Sequence, residues 1–505
     1  MAFIPAIAGA ITAIGTAVGT ATAVVLGGGA IATAIGTGVA FATSFTLAAG
    51  INFAVSYGLK KATSALLSSG KKSSVETLSS PTYSFGILQT QANSSLSIPV
   101  VYGEVKMAGN VLWQTGSQTV QRIVSFAEGE IEGFSDIRIN DNPIQSVVGA
   151  SYSAYTGNGV QTLDSRISGA TQQEKAALVG GLKYEAYLAL TITANQQVNG
   201  DFNLTSIVKG KKVRVYTSVN NYTVKWSDNP IWCLADFLCG YNAIALTYSD
   251  LDIQSFINSA AYCDEAVDGG SKRFTLNLAI DAKQSALEWC MEIFKTCRGN
   301  MVKQNNKWFV FIDKPETASQ KLSAEDINDL KAWWLPMDEI FDIVNIRFRS
   351  KEHQWTFIEA RAEANKYLRQ ARPFIQTQDL IGVTNFNQAS RLAWYYLNQS
   401  QTCQMFISFK TSRKCLNRTV GDVIELTDYI LGFSDKKYRI IRMIESQQDF
   451  IEIVAREYNE SIYQDILGSA PPAVNVLDNN KTQRVLLEDA SGYLITNDGD
   501  YFIQS

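Results

Sequence analysis

The sequence has no charged side chain and no histidine before Lys60. All 44 basic and 48 acidic residues lie from Lys60 onward, so an apolar head precedes a body of ordinary charge content. The formal net charge is only −4, which gives no basic footprint for nucleic-acid binding. Because 505 residues exceed one ordinary core, about three or four domains are expected.

Histidine is almost absent, and the cysteines are not arranged for metal binding. Because His353 is the only histidine in the sequence, enzyme classes that need two histidines are excluded. A single histidine also argues against Cys/His proteases and most serine hydrolases, which need a histidine oriented by another group. Next to Glu352 in a strand-like run, His353 is predicted to be a surface residue. No C-x2-C pair is present, so no metal and no cofactor are expected. We predict reduced and mostly buried thiols at Cys233, Cys239, Cys263, Cys290, Cys297, Cys403 and Cys415.

The head, residues 1–68, contains two apolar stretches, 3–26 and 30–57, that are each long enough to cross about 30 Å of hydrocarbon as a helix. Three consecutive glycines between them favour a turn, so the pattern predicts a helical hairpin. Small residues recur every four positions, as in membrane helix packing. The candidate membrane-inserting residues are Ile11, Ile14, Gly15, Val18, Gly19, Val24, Leu26, Ile31, Ile35, Gly36, Val39, Phe41, Phe45, Leu47, Ile51 and Phe53.

Two other interpretations of the head stay open. A secretory signal would need a positive n-region and a shorter apolar stretch, and the head has neither. Gly and Thr are poor helix formers in water, so the head is also consistent with a low-complexity segment packed inside an assembly.

The body is predicted to have an α+β fold made of β-rich modules with a few packed helices. Short alternating runs around Gly and Asn-Asp turns indicate strands, and helical patterns begin near Asn229. The predicted organisation is a linker (69–82), a β-rich domain (83–150), an inserted or companion β-rich domain (151–225), two α+β domains (226–315 and 316–467), a second linker (468–483) and a C-terminal β-repeat (484–505).

Local signals predict several helix boundaries. Pro230 behind Asn229 marks a helix start that ends at Gly240, and a short helix is expected over 171–178. A later helix is predicted to begin at a capping box of Asp281 with Gln284 and to stop at Gly299. Its apolar stripe would be Leu287, Cys290, Met291, Phe294 and Cys297. A hairpin is expected to turn at Asn305 and Asn306, and a helix over 387–400.

Residues 484–505 repeat an apolar triplet every eight positions, with acidic or amide turn residues between the triplets. The pattern is typical of a small β-meander or of a strand-addition peptide. Three short strands are marginal alone, so docking on a partner or trimerisation is predicted. The candidate docking residues are Leu486, Leu487, Tyr493, Leu494, Ile495, Tyr501, Phe502 and Ile503.

Six body segments form an ordered set: SFAEGEIEGFSDIRINDNPI, NPIWCLADFL, AYCDEAVDGG, the run from FTLNLAIDAKQ to FVFIDKP, NQASRLAWYYL and VGDVIELTD. Read in this order, they resemble the hub part of the lambda-type host-specificity protein J family of phage tail tips. The resemblance covers roughly residues 84–145 and 226–460. Val420 stands where the family has a proline.

The resemblance implies a homotrimeric structural protein at the tip of a phage tail. Its expected partners are its own copies, the distal tail-tube ring, the tape-measure protein in the channel, a fibre or receptor-binding protein, the host membrane during infection, and DNA in transit. Lambda-type relatives continue into a long fibre and lack the apolar head, so receptor recognition is expected to belong to another protein, and the role of the head does not carry over.

Two other classes of function remain alternatives. A tail-associated cell-wall glycosidase would use paired carboxylates such as Glu128, Glu130 and Glu132, although these lie in turn-rich sequence. A stand-alone pore-forming protein would use the apolar hairpin without a virion.

Overall fold

The computed structural model describes residues 88–92 and 97–468, apart from short segments at 195–197, 199–200, 241–243, 268, 282–283, 305, 366–372, 413–414, 416, 430 and 446–449. The predicted apolar head, the linker at 69–82 and the C-terminal repeat therefore lie outside the described residues. The described part is rich in β-strands and has few helices, in agreement with the predicted α+β class.

The first half of the described chain forms a two-sheet β unit. Its strands are β1 (Val100–Tyr102), β2 (Glu104–Ala108), β3 (Asn110–Thr115), β4 (Thr119–Glu128), β5 (Ile131–Ile139), β6 (Asn142–Pro143), β7 (Ala150–Thr156), β8 (Glu185–Thr193), β9 (Leu204–Ser218) and β10 (Asn221–Trp226). A helix, α1 (Gln172–Gly181), lies between β7 and β8, and its Thr171 and Glu174 form a capping box.

Sequence-distant strands pair in this unit. One sheet has the order β7-β8-β4-β3, and the other has the order β10-β9-β5-β6 with β2 also paired to β9. Alternating side chains of both sheets, such as Phe126, Leu188, Ile139 and Val208, share one buried core. Residues 151–225 are thus joined to the preceding β-rich segment by backbone pairing.

Three helices and five strands follow the β unit. In chain order they are α2 (Pro230–Cys239), α3 (Ile253–Cys263), β11 (Ala266–Val267), β12 (Ser271–Lys272), β13 (Leu278–Ile280), α4 (Ala286–Cys297), β14 (Gly299–Gln304) and β15 (Lys307–Ile312). Asn229 caps α2 through its side chain, as predicted. Strand β13 pairs antiparallel with β1, so the helical part is anchored to the start of the β unit.

The last part contains two further sheets and the longest described helix. A six-stranded sheet has the order β16 (Gln320–Ser323), β22 (Val423–Asp428), β23 (Phe433–Glu445), β24 (Ile451–Glu457), β21 (Met405–Thr411), β17 (Ile327–Trp334). Its edge strands β16 and β17 are joined by a single short turn, Ala324–Asp326, so the sheet curls round its own core. A three-stranded sheet, β19 (Thr356–Glu363), β18 (Ile343–Ser350), β20 (Ile375–Asp379), packs on α5 (Phe386–Thr402).

Three local predictions are corrected by the structure. Helix α4 begins at Ala286, because Ser285 and Glu288 form its capping box in place of Asp281 and Gln284. Leu287 is exposed, because it lies at the edge of the buried face of α4, which is centred on Cys290 and Ile293.

His353 is buried and not on the surface. It lies in the turn between β18 and β19, where its Nδ1 is 2.9 Å from the Ser350 hydroxyl. The turn folds back because Gln354 and Trp355 both have left-handed φ values, and this carries the ring inward.

Candidate functional site: a buried charged joint

Asp313 is the centre of a buried polar network. It follows β15 directly, and its carboxylate is buried. The Tyr463 hydroxyl donates to Oδ1 at 2.5 Å, the Tyr395 hydroxyl donates to Oδ2, and the Arg439 Nε lies 3.1 Å from Oδ1. Three different parts of the chain therefore converge on one carboxylate: the end of the 3-10 turn Glu460–Tyr463 that follows β24, helix α5 and strand β23.

Arg439 balances this carboxylate from the six-stranded sheet. Its guanidinium also donates to the Gly421 carbonyl at 2.5 Å and lies 3.3 Å from Glu316. Burial opposes the charge of Arg439, but the attraction of Asp313 together with that of Tyr463, Glu316 and Tyr395 outweighs it and raises the pKa of the guanidinium. Burial, and then the charge of Asp313, also raise the pKa values of both Tyr395 and Tyr463, so both hydroxyls remain donors.

A second arginine packs on the aromatic rings of the network. Arg298 follows α4 directly and has a left-handed backbone conformation. Its guanidinium carbon lies 4.8 Å from the ring centroid of Tyr395 and 5.4 Å from that of Tyr463. Desolvated contacts of this kind are attractive because the ring face is negative. The end of α4 is thereby tied to the same network.

We call Asp313, Glu316, Tyr395, Arg439 and Tyr463 the charged joint. It connects the β15 hairpin, α5 and the six-stranded sheet, and it adjoins a cavity of about 20 Å³, which has room for about one water molecule. Arg439 pairs with both carboxylates, and each tyrosine hydroxyl has Asp313 as its acceptor. This arrangement suits a structural joint that fixes the orientation of neighbouring modules.

The sequence-predicted contact residues are not in this joint. The membrane-inserting set, Ile11 to Phe53, and the docking set, Leu486 to Ile503, both lie outside the described residues. Both sets stay predictions. Within residues 88–468 as described, no helix is both long and apolar enough to cross a membrane.

The three candidate catalytic glutamates lie at a strand junction. Glu130 is 2.8 Å from the Lys212 ammonium, and Glu132 is 3.9 Å from the same group. Glu128 faces Glu185 across the β4–β8 pair, and burial followed by the charge of Glu128 raises the pKa of Glu185. In the described residues, no group of three or more His, Cys, Asp or Glu side chains could hold a metal ion.

Sequence reasoning missed the charged joint. Its members lie in separate segments, and Arg439 occurs in an alternating strand where a solvent-facing side chain is the ordinary expectation. The usable signal was Asp313, an acidic residue directly after the apolar run WFVFI.

The cysteines, in contrast, follow the prediction: all seven are free, and six are buried.

The chain was compared with known proteins, and no family model matches it. It is 22% identical to the baseplate hub protein pb3 of Escherichia phage T5, over 72% of this chain and 48% of that protein. The chain therefore spans about half the length of this curated relative. A chain of a native gene transfer agent virion has a similar fold, with a TM-score of 0.56, 16% identity, and coverage of 81% of this chain and 96% of that chain.

One similarity is to a phage baseplate hub protein, and the other is to a chain of a gene transfer agent virion. They support a resemblance to phage baseplate hub and tail proteins as a group. The lambda-type protein J is not singled out among them.

Proposed function

We propose that this protein is a non-enzymatic structural component of the tail of a long-tailed bacteriophage and acts as a baseplate hub. In this role three copies close the distal end of the tail tube around the tape-measure protein and connect to fibre or receptor-binding proteins. The chain would be made in the host cytoplasm, become part of the virion tail tip, and surround DNA during its delivery.

The observation that carries this proposal is the sequence similarity to a phage baseplate hub protein. The shared fold with a chain of the gene transfer agent virion, 96% of which is covered, supports a place in a virion. The charged joint also suits it, because a hub must hold several modules in fixed orientation, and paired buried charges achieve this without a ligand.

The apolar head has a separate part in the proposal. A hub is assembled in water, so a permanent membrane anchor would not serve it. The predicted hairpin would instead be sheltered in the assembled tail and enter the host membrane on infection, where it would help to form the DNA conduit.

The hub role is tested by locating the chain in the particle. A map of the intact tail tip should show three copies of the described fold at the end of the tail tube, and light scattering of the purified protein should give three times 55.5 kDa. A monomeric protein that is absent from purified virions would refute the hub role. Clear peptidoglycan cleavage by the purified protein would favour the glycosidase alternative.

The membrane role is tested by one charged substitution in the middle of the second apolar stretch. Val39→Lys would cost about 2.5–3.5 kcal/mol for insertion at the centre of a bilayer, so particles should assemble but deliver DNA poorly. Ser68→Lys, at the end of the head, is the matched control. Normal infection by the Val39→Lys particles would contradict the membrane role while leaving the hub role intact. Liposome leakage caused by free protein would favour the pore-forming alternative.

A further inference from the structure

Strand β10 has a free edge that exposes apolar side chains. It pairs with β9 only, among the described strands, and its residues from Asn221 to Lys225 are all exposed. Tyr222 is 44% exposed and Val224 is 58% exposed. An exposed edge strand of this composition promotes unwanted strand pairing, and native proteins usually cover or blunt such an edge.

The hairpin that contains this edge is strongly basic. We call residues 204–226 the arm; it contains five Lys or Arg residues and no Asp or Glu. No described carboxylate is within ion-pair distance of Lys209, Arg214 or Lys225. The Arg214 guanidinium lies instead over the rings of Tyr222 at 4.6 Å and Tyr248 at 4.3 Å, which leaves the cation available to an acidic group.

The described chain leaves the fold near the base of the arm. Gly468 donates to the Ser390 hydroxyl at 2.6 Å, and nearby Asp465 is 2.8 Å from Arg273. Lys272 precedes Arg273, and its ammonium group is 2.7 Å from the Asp228 carboxylate. Asp228 lies two residues after the last residue of β10. Two short ion pairs thus connect the exit point to the residue pair that follows β10.

The segment beyond this exit has the complementary chemistry. Residues 484–505 carry four acidic residues and only one basic residue, and their apolar triplets recur every eight positions. The linker at 468–483 has 16 residues, and a flexible linker of that length has a root-mean-square span of about 22 Å. It is long enough to return to the arm without being held fully extended.

We infer that residues 484–505 fold back onto the same copy of the chain and add a strand to the free edge of β10. Backbone hydrogen bonds to β10 supply the affinity, and apolar residues of the triplets cover Tyr222 and Val224. The acidic turn residues then approach Arg214 and Lys225. This docking does not depend on the hub role, because it uses only contacts within one chain.

Hydrogen exchange of the full chain tests the inference. Compared with a variant lacking residues 484–505, the full chain should show amide exchange in β10 that is slower by about tenfold or more. Exchange in the β14–β15 hairpin should be equal in the two proteins, which shows that the shortened chain is folded. Equal exchange in β10 would overturn the inference.

Point variants guard against an effect of truncation alone. Val224→Glu and Lys225→Glu should each speed the exchange of β10 and make the segment more sensitive to chymotrypsin at Tyr493. Lys183→Glu, an exposed lysine outside the arm, is the matched control. If the control speeds β10 exchange as much as Lys225→Glu, specific charge complementarity with the arm is refuted.

A mixing experiment identifies the copy that supplies the segment. Isotope-labelled protein lacking residues 484–505 is mixed with unlabelled full-length chain. No protection of the labelled β10 is expected, whereas protection would show exchange between copies and overturn docking within one chain. If protection of β10 in the full chain requires a different added protein, that outcome would also overturn the inference.

Discussion

Replacing Asp313 by Asn should destabilise the modules that meet at the charged joint. The side chains of Asp313 and Arg439 are only 5% and 7% exposed, so the substitution leaves a buried guanidinium without its main counter-charge. Removing one partner of a buried ion pair costs about 3–5 kcal/mol. Glu316, 3.3 Å from Arg439 and one-third exposed, retains part of the compensation, so we expect about 3 kcal/mol.

The expected loss is measured by native-state hydrogen exchange in α5 and β23, because exchange reports the stability of the elements that meet at the joint. A loss of about 3 kcal/mol corresponds to exchange that is faster by about a hundredfold. Asp379→Asn is the matched control. Its 2.6 Å pair with Arg347 is more than one-third exposed, and such pairs contribute about 0–1 kcal/mol.

A second substitution separates loss of charge balance from loss of packing. Asp313→Asn combined with Arg439→Met removes both charges, and buried pairs replaced by apolar groups are often neutral in stability. The double variant should therefore be more stable than Asp313→Asn alone. If Asp313→Asn is no worse than Asp379→Asn, the charged joint does not hold the modules together.

Three further predictions concern stability and reactivity. Glu185→Gln should raise the melting temperature at pH 7. The pKa of Glu185 is raised in the folded state, so ionisation of its carboxyl group opposes folding as the pH increases, and the gain should vanish as the pH falls toward the ordinary carboxyl range. An equal gain in melting temperature at pH 4 and pH 7 would contradict this reasoning. Iodoacetamide at pH 8 should alkylate no cysteine of the native protein other than Cys239, and this one only slowly, because burial and then the charge of Asp236 raise the pKa of its thiol to about 12. The intact mass should show seven modifications only after unfolding. Gly421→Ala should lower the urea midpoint more than Gly432→Ala does. Both glycines have positive φ, but only at Gly421 would an added Cβ meet a ring, that of Phe311, at 2.6 Å. Equal urea midpoints for the two variants would refute the packing argument.

Sequence reasoning succeeded where the determining interactions are local. The helices predicted at Thr171 and after Asn229 both start as expected, and the caps that start them act within three residues. The hairpin turn also follows from local chemistry, because Asn306 adopts the left-handed φ that asparagine tolerates.

It failed where distant segments decide the outcome. Nothing in the neighbourhood of Asp313 indicates that Arg439 will balance it, since the pairing depends on how the six-stranded sheet packs on the hairpin. His353 was predicted on the surface because its neighbours are polar, yet the turn after β18 buries it. At α4 two capping signals competed four residues apart, and Ser285 with Glu288 prevailed over Asp281 with Gln284.

The pairing of β1 with β13 also constrains how the protein is made. Val100 opposes Ile280, so about 180 residues must leave the ribosome before the first strand of the β unit finds its partner. At about 5–20 residues per second, that wait lasts roughly 9–36 s. During this time Val101 and Tyr102, which end fully buried, remain unpaired on the nascent chain. Synthesis rate and chaperone access over residues 103–280 should therefore influence the yield of folded protein.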